Sequence, residues 1–144
     1  MSETREDRIM LAGKSIRELE RYREGIRSEE IRQAIAELKR SLETLRDTQY
    51  LFDSGEKELI RLYERYIPYL MDIIGQYQTM ESAGNYEALQ KSRTQLLKTL
   101  AQMNEVVVSV TKILPQDEID EANARAQAEE LRRMLDEQRR SVVK

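Results

Sequence analysis

Residues 29–52 read EEIRQAIAELKRSLETLRDTQYLF, and their apolar side chains recur at alternating intervals of three and four residues. This spacing places them on one face of an α-helix, at the a and d positions of a heptad repeat. Such a helix packs along its length against other helices, and the one polar residue on the face is of the kind that fixes helix register. The residues on this face are Ile31, Ile35, Leu38, Leu42, Leu45, Gln49 and Phe52.

Similar apolar faces occur in the neighbouring segments, which predicts an all-α protein. One face lies within residues 9–26, a second within 59–80 and a third within 89–114. Residues 106–110 (VVVSV) have strand propensity when taken alone. Because they continue the heptad pattern of the third segment and have no strand to pair with, we expect them to be helical.

Turn-forming and capping residues indicate where these helices begin and end. Gly25 is expected to take the left-handed conformation that ends many helices, and Ser28 to cap the helix that follows. Ser54 is expected to cap the third helix and Asn85 the fourth. Pro115 is expected to stop the fourth helix, because proline removes a backbone hydrogen bond and crowds the preceding turn.

The sequence therefore predicts a single helical domain over residues 1–144. Four main helices are expected to form an antiparallel bundle over residues 9–115, with a charged C-terminal helix over residues 116–144. This last helix is expected to dock through a few apolar residues and to fray towards its end. Its docking residues would be Leu131, Met134 and Leu135.

Composition argues against several classes of function. The chain contains no cysteine and no histidine, which removes disulfides and the commonest general base and metal ligand. Its net charge of −3 argues against nucleic-acid binding. The first residues, MSETREDR, do not resemble a signal peptide, and the longest apolar run (residues 67–71) is far shorter than the ~18 residues of a membrane span. We expect a cytoplasmic protein without a metal, a cofactor or a membrane span.

Two short patterns suggest ligand sites, but helical structure explains both more simply. Gly13-Lys14-Ser15 is similar to the end of a phosphate-binding loop, yet Arg8 stands where that loop needs a glycine. The acidic residues within 117–121 offer oxygen ligands for a hard cation, yet they lack the spacing of a calcium-binding loop. Acidic residues in the first turn of a helix beginning after Pro115 would account for them.

Residues 63–77, YERYIPYLMDIIGQY, place a proline at the centre of the most apolar helix. Pro68 has no N–H to donate to the carbonyl of Glu64, which costs ~3 kcal/mol in a plain helix interior. The apolar face nevertheless continues in register on both sides. We therefore expect one helix that is kinked near residues 64–68, and not two separate helices.

The tyrosines of this segment are the candidates for binding a partner. Tyr63, Tyr66 and Tyr77 are expected on the core face, whereas Tyr69 lies to its side and is expected to be exposed. An aromatic face at helical spacing normally belongs to a core, and a docking groove for a partner helix is the functional alternative. The candidate structural or docking residues are Tyr63, Tyr66, Pro68, Tyr69 and Tyr77.

The same residues carry a resemblance to a known family. YERYIP at residues 63–68, followed by Tyr69, Ile73 and Tyr77, resembles the segment F/Y-x-x-Y-Y-L-P leading into T-x-x-x-L-x-x-x-Y of the XpaC family, named for 5-bromo-4-chloroindolyl phosphate hydrolysis. Arg65 stands where the family often has a second tyrosine, and Tyr69 where it often has threonine. The similarity extends over about residues 9–135, through helices in the same order.

The resemblance implies an accessory protein linked to toxic-anion or envelope stress, with a TelA-like helical protein as its partner. The family name suggests a hydrolase of small phosphate esters, but the chain has no histidine or cysteine and no recognisable metal-binding motif to support that chemistry. We therefore expect a non-enzymatic protein-interaction protein. The alternatives are a hydrolase of indolyl phosphate and a self-associating structural protein whose C-terminal helices pair between subunits.

Overall fold

The computed structural model describes residues 4–143, and every regular element in this part of the chain is helical. The all-α prediction is confirmed, and residues 106–110 are helical as expected. The elements are α1 (Arg5–Gly25), α2 (Glu29–Leu51), α3 (Glu56–Arg61), a π-helical turn (Leu62–Tyr66), α4 (Ile67–Ala83) and α5 (Tyr86–Val143). Because α3, the π-helical turn and α4 follow one another directly, the described chain forms four helical segments.

Two of the predicted helix caps are confirmed. The side chain of Ser28 accepts a hydrogen bond from the backbone N–H of Ile31 at 3.5 Å. Asn85 Oδ1 accepts one from the N–H of Ala88 at 3.3 Å, at the start of α5. Both side chains satisfy N–H groups that the first turn of a helix leaves without a partner.

The predictions for Gly25 and Ser54 are wrong. Gly25 does not take a left-handed conformation, and α1 ends in the extended residue Ile26. A Cβ at Gly25 would approach the amide nitrogen of Gln78, which lies at the end of a flexible side chain and can move away. Ser54 does not cap α3, because Gly55 occupies the N-cap position and the Ser54 hydroxyl donates to the backbone carbonyl of Leu114 instead.

Each helical segment packs against two others. α2 contacts α1 and α5, and α4 contacts the same two helices from the other side. The predicted apolar face of α2 is buried, except for Phe52, which is only partly covered. The buried face of α5 follows the heptad spacing and ends at Leu114; its members are Leu89, Leu96, Leu100, Met103, Val107, Val110 and Leu114.

The prediction that Pro115 ends the fourth helix is wrong. α5 continues through Pro115 and is 58 residues long, so residues 116–143 do not form a separate helix. Proline removes one hydrogen bond, to the carbonyl of Thr111, but the strong helix formers that follow keep the chain helical. The acidic residues within 117–121 therefore lie in the middle of α5, and the explanation from a helix N-terminus is also wrong.

The side chains of residues 119–140 are all exposed. The prediction that Leu131, Met134 and Leu135 dock this part of the chain is therefore wrong, because their side chains are 59%, 52% and 54% exposed. We refer to residues 116–140 as the α5 extension. At 1.5 Å per residue it is about 37 Å long.

The third helical segment passes Pro68 without a break, through the π-helical turn that precedes it. The N–H of Ile67 donates to the carbonyl of Leu62, five residues earlier. A π-turn accommodates one more residue than an α-turn and so rotates the side chains that follow. Ile67 takes the buried position, and Tyr66 is 39% exposed, so the expectation that Tyr66 lies on the core face is wrong.

Candidate functional site

Two surface grooves flank α4, and the candidate residues are divided between them. The α4–α5 groove has a volume of about 250 Å³ and is lined by Tyr69 and Tyr77. The α1–α4 groove has a volume of about 290 Å³ and is lined by Tyr63 and Pro68. Tyr66 lines neither groove, although its side chain is exposed. The structure therefore does not bring the five candidate residues together in one site.

The α4–α5 groove is apolar at its base and polar along its edge. Tyr77 and Leu96 are buried beneath it, and the partly buried Ile73 and Met80 form its side. The phenol oxygen of Tyr77 accepts a hydrogen bond from Arg93 Nε at 3.4 Å, which fixes the ring. The polar residues along the edge are Gln76, Ser92, Gln95 and Thr99.

Tyr69 stands at this groove with 65% of its surface exposed. Its position is one helical turn before Ile73 and two turns before Tyr77, so the three side chains follow one line along α4. A large aromatic ring beside an apolar groove is typical of the anchor residues of protein interfaces. The expectation that Tyr69 is exposed is confirmed.

The α1–α4 groove contains the buried phenol of Tyr63. Its hydroxyl donates to Gln49 Oε1 at 2.6 Å, and both side chains are almost fully buried. Burial raises the pKa of the Tyr63 phenol far above its usual range. Tyr63 is therefore a neutral hydrogen-bond donor that ties the π-helical turn to α2, and it is unsuited to act as a nucleophile.

A second polar pair links α2 to α5. Ser41 Oγ lies 2.5 Å from Asn104 Oδ1 and donates to it across the interface of the two helices. Gln49 and Asn104 both interrupt or adjoin an apolar face in the sequence, which marks them as residues that fix helix register. Only the structure shows which side chains they pair with.

The phosphate-loop pattern has no loop in the structure. Gly13, Lys14 and Ser15 lie inside α1, and the hydroxyl of Ser15 donates back to the carbonyl of Leu11 at 2.8 Å. The backbone N–H groups of an uninterrupted helix are paired, so they cannot surround a phosphate. Within residues 4–143, no group of three or more acidic side chains is placed to hold a metal ion.

Two arginines near the start of α1 have roles that helical periodicity does not reveal. Arg5 Nη2 donates to the backbone carbonyls of Gln49 and Tyr50, at 3.1 and 2.7 Å, and so satisfies carbonyls at the end of α2. Arg8 is buried, with a guanidinium nitrogen 3.7 Å from a carboxylate oxygen of Glu56. Arginine is mostly a surface residue, and nothing in the spacing of the sequence indicates these contacts.

Over the described residues, no helix is both long enough and apolar enough to cross a lipid bilayer.

Comparisons with known proteins leave the fold and the grooves as the basis for any functional proposal. No protein-family model matches the sequence, and the searches of curated proteins and of solved structures found no similar protein.

Proposed function

We propose that this chain is a non-enzymatic interaction protein that binds a helix of a partner protein in the α4–α5 groove. The observation that carries the proposal is the exposed ring of Tyr69 beside an apolar groove. Tyr69 lies next to the partly buried Ile73 and Met80. A partner that excludes water from these three side chains would bind with a favourable free energy, because it buries apolar surface.

The groove suits an amphipathic helix. It lies between two helices, with an apolar base and a polar edge. An amphipathic helix could place its apolar face on the base and its polar side chains along the edge. The apolar face of the partner would cover Tyr69, Ile73 and Met80, while the glutamines at the edge would meet its polar flank. The partner we favour is a TelA-like helical protein acting in toxic-anion or envelope stress, and this choice comes from the XpaC resemblance.

We also infer an antiparallel bundle with a bend at Pro68. The cyclic packing of α1, α2, α5 and α4 supports the bundle, since short connections join successive helices. The π-helical turn at Leu62–Tyr66 supports the bend, because π-turns and prolines are the usual places where helices change direction. Such a bend would direct the face of α4 that carries Tyr69 towards α5.

Replacing Tyr69 with alanine is expected to weaken binding of a purified TelA-like protein by about 10-fold or more, because one large anchor is lost. Thermal unfolding should change little, since the side chain is mostly exposed. Biolayer interferometry with the full chain would measure the affinity. Tyr86→Ala is the matched control, because Tyr86 is 80% exposed and does not line the groove.

Two results would contradict this function. Equal binding by the Tyr69 and Tyr86 variants would remove the α4–α5 groove as the docking site. Turnover of indolyl phosphate by the purified protein, well above the level of a mock purification, would contradict the non-enzymatic proposal.

A further inference from the structure

The α5 extension carries an apolar seam that continues the heptad of the bundle. Counting on from Leu114 by alternating intervals of three and four residues leads to four apolar residues beyond Asp117 and Glu121. These are Ala124, Ala128, Leu131 and Leu135, which we call the extension seam. A straight helix drifts about 20° per heptad from this pattern, a difference that left-handed supercoiling around a partner helix removes.

No part of the described chain covers the leucines of the extension seam. Leu131 and Leu135 are more than half exposed, and Met134, at a flanking g position, is 52% exposed. The corresponding a and d residues within the bundle, such as Leu100 and Val107, are buried by α2 and α4. The same face of α5 is thus buried within the bundle and exposed along the extension.

We propose that the extension seam pairs with the extension of a second copy of this chain, in antiparallel orientation. This pairing goes beyond the docking of a partner in the α4–α5 groove and uses a different surface.

Charge distribution favours the antiparallel orientation. The first part of the extension is acidic, with Asp117, Glu118, Asp120 and Glu121. Its second part is nearly neutral, because Arg132, Arg133, Arg139 and Arg140 are balanced by Glu129, Glu130, Asp136 and Glu137. Antiparallel pairing places the acidic part of each chain beside the nearly neutral part of the other, whereas parallel pairing places the two acidic parts side by side, where they repel.

The acidic residues of the extension also repel one another in the single chain. The pKa of Asp117 is raised, first by desolvation and then by the carboxylates of Glu58, Asp120 and Glu121. Parallel pairing would add the carboxylates of a second copy to this repulsion, and antiparallel pairing avoids that.

Side-chain size gives the register. When Ala128 faces Leu131 of the second copy, Ala124 faces its Leu135, so that a small residue opposes a large one in each of the four layers formed by the extension seam. Alternation of small and large residues lets the two helices approach closely without leaving voids.

The bundle itself opposes the parallel orientation. The side of α5 that bears the seam is covered by α2 and α4 as far as Leu114. In a parallel pair the second bundle would begin level with the first, on that same side, so the two bundles would occupy the same space. In an antiparallel pair they lie at opposite ends of an assembly in which the two extensions overlap over about 33 Å.

Sedimentation equilibrium of the full chain tests the pairing. We expect a mass that rises with concentration towards twice the 17.0 kDa of one chain. Leu131→Gln should raise the dissociation constant at least about 100-fold, because each dimer contains this residue twice. Ile119→Gln is the matched control, since Ile119 is 55% exposed but lies off the seam, and it should leave the constant within about threefold.

Cross-linking tests the orientation, because the chain has no cysteine of its own. A tagged Ala124→Cys chain mixed with an untagged Leu135→Cys chain should form the mixed disulfide, and neither should cross-link efficiently to itself. A monomer at all concentrations, a dimer that Leu131→Gln does not weaken, or self-cross-linking of each single variant would overturn the proposal. Since none of these substitutions lies in the α4–α5 groove, failure here would leave the Tyr69 result unaffected.

Discussion

Replacing Gly55 with alanine is expected to lower the free energy of unfolding by about 3 kcal/mol, from backbone strain and overpacking together. Gly55 has a φ of 66°, in the left-handed region that residues with a Cβ rarely adopt. A Cβ built there would lie 2.7 Å from Cδ1 of Leu114, which is itself fully buried. The leucine would have to move within a packed core, or the turn before α3 would have to open.

Gly84→Ala separates these two contributions. Gly84 has a similar φ of 74°, but a Cβ there would meet no atom within 4 Å. Only the strain applies, so we expect a loss of about 1 kcal/mol. Urea denaturation of both variants measures the difference. Equal losses would show that the contact with Leu114 contributes nothing. A Gly55→Ala variant with an unchanged free energy of unfolding would contradict both the backbone strain and the overpacking.

The turn containing Gly55 lies where the buried part of α5 gives way to the extension. Ser54 donates to the carbonyl of Leu114, and Gly55 allows the backbone to approach the Leu114 side chain. These contacts fix the last buried turn of α5 just before Pro115. A substitution that opens this turn is therefore expected to affect the direction in which the extension leaves the bundle.

Much of the fold could be predicted from the sequence because its signals are local. The heptad face of α2 and the caps at Ser28 and Asn85 each depend on neighbouring residues alone. The prediction at Pro115 was wrong because it considered only the local effect of proline, the loss of one hydrogen bond. The helix propensity of the long segment that follows outweighs this loss. The exposure of Leu131 could not be predicted from neighbouring residues, because it depends on how far along α5 the other helices extend.

The π-helical turn explains why the candidate site was only partly predictable. Tyr66 and Ile67 are adjacent and both apolar, so the sequence pattern fits either of them in the buried position. The extra residue of the π-turn decides in favour of Ile67. The division of the candidates between two grooves depends on which helix lies beside each face of α4, and helical periodicity does not contain that information.

The hydrogen bond between Tyr63 and Gln49 gives the second large effect. Tyr63→Phe is expected to lower the free energy of unfolding by about 2 kcal/mol, because it leaves the Gln49 carbonyl oxygen buried without its donor. Gln49→Met should have a similar effect, since it leaves the phenol without an acceptor. Urea denaturation at neutral pH measures both variants, where the Tyr63 phenol, with its raised pKa, remains protonated.

The double variant Tyr63→Phe with Gln49→Met decides whether this buried pair stabilises the fold or chiefly fixes its register. When both polar groups are removed, no buried group is left unsatisfied, so we expect a loss of only about 1–2 kcal/mol, well below the sum of the single losses. Additive losses would show that the two side chains act independently and would contradict the pairing. If the double variant also keeps the affinity of the unaltered chain for its partner, the pair holds the π-helical turn on α2 without contributing to the α4–α5 groove, as the separation of the two grooves implies.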